Sequence, residues 1–198
     1  MTVIVRFNGN IKDETIYSYT HKWIADFNIA TEEGANFGGF HGLKDSITRQ
    51  FEQFSVTNIS GDKATIILSG EVSFNLYDRV IYGKVESLEL GKEGVIQTVE
   101  GHSIIEKHLV EPQLIFDNLN IIGEYDYFKM PAENRKNDIH QIGFNLKENN
   151  ADILLGILKT QGIDINTPLK DMASASQFNI PLIDTLGTND SNEILLVA

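Results

Sequence analysis

The chain carries five histidines, six tyrosines and no cysteine. Without cysteine there are no disulfides, no thiolate metal sites and no cysteine nucleophile. The histidines stand at 21, 41, 102, 108 and 140. No two have the i, i+4 spacing that puts a pair of imidazoles on one helical face for zinc, and His102 and His108 flank a predicted loop. Phosphate-binding glycine motifs, a nucleophile elbow and a calcium loop are all missing from the sequence. The paired carboxylates Glu32-Glu33 fall in a predicted loop without a partner and read as an exposed charge pair. What remains is Tyr77-Asp78-Arg79, a phenol, a carboxylate and a guanidinium in three consecutive positions between two strand-like runs. On the residues alone this is either a solvated hairpin tip or a tip that holds a ligand.

The elements that must position these groups follow from periodicity. Residues 2–8 form a short strand ended by the Asn8-Gly9-Asn10 turn signal. Ile16, Tyr19, Trp23 and Phe27 recur at helical spacing behind Asp13 or Thr15 as N-cap. From Asn28 to Gly42 the pattern dissolves into NIATEEGANFGGFHG, read as a long loop. Strands are predicted from Gln50, with a turn at Ser60-Gly61-Asp62, then over Ala64–Leu68, Val72–Leu76, Ile81–Leu90, Val95–Val99 and Gln113–Ile122. After Pro131 the period becomes helical. Ile139, Ile142 and Leu146 mark one helix, and a second runs from Asn150 through Ile153, Leu154, Ile157 and Leu158 to a stop at Gly162. A third is expected from Thr167-Pro168, with Leu169, Met172 and Ala173 buried. Sequential strands followed by helices predict an α+β fold: a curved antiparallel β-sheet with helices packed on one face.

At 198 residues without a linker or repeat, residues 1–198 read as a single domain. Hydrophobic residues make up 41% of the chain, enough for a packed core. The net charge is −12, from 28 acidic and 16 basic residues. Such a field repels phosphate backbones and anionic lipid, so neither nucleic acid nor a membrane surface is an expected partner. No apolar run is long enough to insert in a membrane. The opening MTVIVRFNGN lacks the basic start and apolar stretch of a secretory signal peptide. Taken alone that suggests the cytoplasm, and it is silent on export signals read from the other end.

Several segments together resemble a known family. IYGKVESLELGK (81–92), KHLVEPQLIFDNLNIIGEYD (107–126), GIDINTPLKDMASASQ (162–177) and EILLVA (193–198), with KWIADF and GGF near the first loop, are similar in order and spacing to the secreted haemophores of the HasA haem-acquisition type. The resemblance implies a non-enzymatic, extracellular protein of a Gram-negative bacterium. Such a protein binds one ferric haem (ferric protoporphyrin IX) between two loops and delivers it to an outer-membrane receptor. It also implies that the tail, residues 189–198, is an uncleaved C-terminal signal for a type I ABC exporter. Host haemoproteins are further expected partners. The rival reading is a haem-independent relative that acts by protein–protein contact with a receptor or a host haemoprotein.

In this family a histidine of the first loop and a tyrosine of the second ligate iron, and another histidine supports the tyrosine. Aligned by Gly70 and the strand SFNL, the tyrosine position is Phe74; aligned by the following IYG, the supporting histidine is Arg79. Glu32 stands near the expected first-loop histidine. Phenylalanine cannot ligate iron, so the usual coordination does not transfer. Two readings stand. In one, Tyr77 supplies the phenolate, a good ligand for ferric iron once its high intrinsic pKa is offset, with Arg79 as the cation that offsets it and His41 reaching in from the first loop. In the other, Tyr77 is a turn residue and His41 a surface residue. Tyr82 and His140, the latter in IHQ on a helix expected beside the haem, complete the pocket that the resemblance implies.

Overall fold

The protein's structure, a computed structural model, describes residues 2–25, 38–57, 64–98 and 105–178. Glu32, Phe27, His102, the Ser60–Asp62 turn and the 189–198 tail lie outside the described residues.

The N-terminal strand β1 (Ile4–Asn8) leads into α1 (Ile16–Ala25). Thr15 Oγ1 accepts from the Ser18 amide and Ser18 Oγ accepts from the Thr15 amide, both at 3.0 Å, so the first turn is capped reciprocally. Ile16, Tyr19 and Trp23 then share the buried face, as their spacing predicts. The Trp23 indole donates to the Gly91 carbonyl at 3.0 Å, which satisfies its one polar atom inside the core.

Four long antiparallel pairings build most of the sheet. β2 (Gly39–Asp45), β3 (Gln50–Thr57), β4 (Ala64–Asn75), β5 (Val80–Thr98) and β6 (Ile105–Gly123) follow one another as a meander. β1 pairs antiparallel with the far side of β6, and the short β7 (Ala175–Phe178) adds parallel to β1, giving the order β2-β3-β4-β5-β6-β1-β7. The sheet is therefore mixed, and it stays open.

Against one face lie α1, α3 (Asp138–Lys147) and α4 (Asp152–Thr160), preceded by the four-residue α2 (Pro131–Asn134). Asn137 caps α3 through the His140 amide, and Gly162, with φ +81°, ends α4 in the left-handed conformation that glycine tolerates. Ile139, Ile142 and Leu146 of α3 and Leu154, Ile157 and Leu158 of α4 join Phe54, Ile66, Leu68, Leu88, Leu90 and Phe116 of the sheet in one core. The opposite face is partly covered because the sheet curls. The Lys107 amide of β6 donates to Gln53 Oε1 of β3 at 2.8 Å, and its ammonium donates to Thr57 Oγ1 at 2.6 Å.

The structure corrects the third predicted helix. Leu169–Asp171 is a single 3-10 turn, Met172 is buried, and Ala173 is exposed. Its amides are taken elsewhere: Leu169 N donates to the Glu14 carbonyl and Lys170 N to the Lys12 carbonyl. Asp171 N and Met172 N bond back only three residues, Met172 is already extended (ψ 122°), and the chain leaves the turn to pair with β1 as β7.

Candidate functional site

The second loop of the resemblance is the β4–β5 hairpin, whose geometry is set by a bulge. Two predicted strands, Ala64–Leu68 and Val72–Leu76, are one continuous β4, with a register shift between Ser69 and Gly70. Gly70 has φ +149°, and a Cβ there would stand 2.4 Å from the Lys84 carbonyl oxygen, so only glycine fits. Beyond the bulge, Val72 and Phe74 face the helices. Phe74 pairs with Ile81 and sets its ring 5.1 Å from that of Phe40, which also packs on Phe51 and Phe54 at 5.0 Å each. Phe74 is thus part of an aromatic cluster at the rim of the core.

Asn75 and Val80 close a four-residue tip, Leu76–Arg79. Asn75 Oδ1 accepts from the Asp78 amide at 3.0 Å, and Arg79, at φ +54°, makes the left-handed step that returns the chain. Tyr77 is 95% exposed at the apex.

Side chains from the segment after β6 grip this tip. Arg135 donates from Nε and Nη2 to the Asp78 carbonyl, at 3.2 and 2.7 Å. Tyr125 Oη donates to Asp78 Oδ2 at 2.5 Å. Asn137 donates to the Ile81 carbonyl at 3.0 Å, and the Ile81 amide donates to His140 Nδ1 at 3.4 Å. An Nδ1 that accepts leaves the proton of the neutral ring on Nε2, so His140 presents a donor, with its ring stacked parallel to Phe144 one turn on. Tyr125 is held in place from behind, because Asn134 bonds both the amide and the carbonyl of Asp126.

Tyr82 lies on the other face of the hairpin, its ring 5.0 Å from Tyr125, which meets Tyr127 edge-on at 4.9 Å. These tyrosines line a shallow groove of about 510 Å³ with Glu124, Asp126 and Phe128. The bond to Asp78 pushes the Tyr125 phenol up to about 12, and burial pushes Tyr82 up as well. Neither is disposed to become a phenolate.

His41 is not in a loop. It lies on β2, paired with Gln53, on the face opposite Phe40, and its Nε2 is 3.0 Å from Ser55 Oγ. Burial first, and the charge of Lys107 second, hold its pKa below the usual imidazole value. Through Gln53 it is level with Ser69 of β4. Asn75, where the tip begins, is six residues further along, roughly 20 Å at strand rise. The structure therefore does not bring His41 and Tyr77 together. It does bring Tyr77, Arg79, Phe74 and His140 to one end of the molecule, with Tyr82 behind them. Sequence reasoning missed Tyr125, Arg135 and Asn137; the only local signal was Asn137 as a helix cap, and its second role depends on tertiary contact.

For a haem, the donors and surfaces at this end are of the right kind. Tyr77 offers an accessible phenol oxygen, and Phe144 (53% exposed) and Leu76 (52%) offer apolar surface. Among the described residues no group of three or more histidines and carboxylates is gathered to hold a bare metal ion, and no helix is long and apolar enough to cross a membrane.

A family model, heme-binding protein A (HasA), matches residues 1–198. The chain belongs to the HasA family. Among solved structures, the apo hemophore HasA from Yersinia pestis is similar, with a TM-score of 0.80 and 26% identity, covering 90% of this chain and 100% of that one. The holo hemophore HasA from Yersinia pestis has a TM-score of 0.78 and 26% identity over the same shares. A mutant HasA monomer from Yersinia pseudotuberculosis has a TM-score of 0.78 and 27% identity, again covering 90% and 100%. A comparison with curated protein sequences gives no match. The HasA family consists of haem-binding carriers, not enzymes.

Proposed function

We propose that this HasA-family protein captures ferric haem at the β4–β5 hairpin end and passes it to a receptor, with the Tyr77 phenolate as the iron ligand. The observation that carries this reading is the exposed phenol at the tip of the family's second loop, in a chain whose family tyrosine position is the packed Phe74. When bound, haem supplies a Lewis-acidic ferric centre that favours an anionic oxygen donor. The chain's own residues do the rest. Arg79, two positions on, is a permanent cation on the same turn. Phe144 and Leu76 would present apolar surface to the porphyrin. His41, bonded to Ser55 on β2, acts as a structural residue.

The proposed setting is extracellular, after export by a type I ABC exporter that reads residues 189–198. The proposed partner is an outer-membrane receptor, and host haemoproteins are the proposed source of haem. The net charge of −12 supports a protein that stays clear of anionic surfaces while free.

Titration of apo-protein with haemin is the test. The expected result is a saturable Soret band at one equivalent with a tyrosinate charge-transfer band that Tyr77→Phe abolishes and His41→Gln leaves. A titration indistinguishable from free haemin would instead support the rival role, protein–protein contact without haem, which the packed Phe74 favours.

A further inference from the structure

Exposed four-residue hairpin tips ordinarily bond to water and lie at the low-stability end of a fold. This one does not. Asp78, next to Tyr77, is bonded at its amide by Asn75, at its carbonyl twice by Arg135, and at its carboxylate by Tyr125. Tyr125 and Arg135 come from chain that precedes and follows α2, and the Asn134–Asp126 bonds tie those two stretches together. Neither side chain makes up a deficit in the sheet, because the Asn75–Val80 pair already closes the hairpin.

We propose that Asp78, Tyr125 and Arg135 form a latch that sets the backbone of the hairpin tip in advance, so that Tyr77 presents its phenol to the iron already oriented. The latch builds on the Tyr77 reading given above. Pre-ordering the tip removes the conformational cost that a free loop pays when it binds, and a single protein–iron bond depends on that placement more than a pair does. Asp78, Tyr125 and Arg135 are positioning residues, since none is assigned a contact with haem.

The test uses the full chain with Tyr125→Phe, Arg135→Met and each of these combined with Tyr77→Phe. In the apo-protein, hydrogen exchange at residues 76–79 should speed up about tenfold in either latch variant, with core amides of β4 and β5 unchanged. Haemin release should speed up about tenfold while Tyr77 is present, and not at all once Tyr77 is Phe. Unchanged exchange at the tip, or equal acceleration of release with and without Tyr77, would overturn the latch. A haemin complex insensitive to Tyr77→Phe would remove the tyrosine assignment and with it the presenting role, while the exchange data would still decide whether the tip is held. Should one latch variant fail to fold, the other carries the same comparison.

Discussion

At the scale of single residues, His41 is the clearest case of a side chain whose environment decides its role. Its imidazole accepts or donates with Ser55 Oγ, a buried group, and faces Lys107, whose own pKa burial lowers. The protonated form is therefore disfavoured in the folded state. The sign follows: a base with a depressed folded pKa contributes fully above its unfolded value, about 6.5, and loses that contribution as pH falls below it. Wild type should lose more denaturant stability than His41→Gln between about pH 7.5 and about pH 5. Parallel pH dependence in the two proteins would mean that His41 is solvated as in a peptide. Phe74 shows the same principle on the other face. Packed on Phe40, it belongs to the hairpin's apolar support, whatever stood there in relatives.

At the scale of elements, the β4–β5 hairpin is a single long ribbon whose register hangs on Gly70. Because side chains alternate along a strand, the extra residue at this bulge, Glu86 on β5, is what carries the core face from Leu90 and Leu88 over to Val85 and Ile81 and turns Tyr82 away from it, while β4 alternates unbroken from Ile66 and Leu68 to Val72 and Phe74. Gly70→Ala should cost about 2 kcal/mol or more, from the positive φ and the clash with the Lys84 carbonyl. It should also weaken haem binding if the protein still folds, since the tip would be re-aimed. A thermal midpoint within a degree of wild type would show that the bulge relaxes at no cost. The arms of β5 and β6 beyond Gly91 are a different matter: Lys107, bonded to Gln53 and Thr57, folds them over β3 and gives the sheet its curl.

At the scale of the whole molecule, one core joins α1, α3 and α4 to one face of the sheet, so the hairpin end proposed for haem stands on a packed body. Residues 189–198 belong to a separate function in the reading proposed here. Deleting residues 193–198 should leave the thermal midpoint of the folded domain unchanged and keep the protein inside cells that carry the cognate exporter. Secretion of the truncated chain, or loss of its fold, would make the tail structural and take away the sequence evidence for export by that route.

The sequence by itself determined what rests on neighbours a few residues apart. The face of α1 shows in Ile16, Tyr19 and Trp23, the cap of α1 in Thr15, the stop of α4 in Gly162, and the strands in their alternation, because each depends on local periodicity and backbone preference. Family membership was legible too, since it rests on the order of several segments. Tertiary structure decided the rest. Thr167-Pro168 has every local mark of a helix start, yet after one turn the chain is extended at Met172 and is drawn into pairing with β1. His41 reads as loop because its flanking glycines hide a strand that pairs with β3. The grip of Tyr125 and Arg135 on Asp78 spans about fifty residues of sequence, and no short-range pattern encodes a hydrogen bond that forms only after the sheet and α2 have packed.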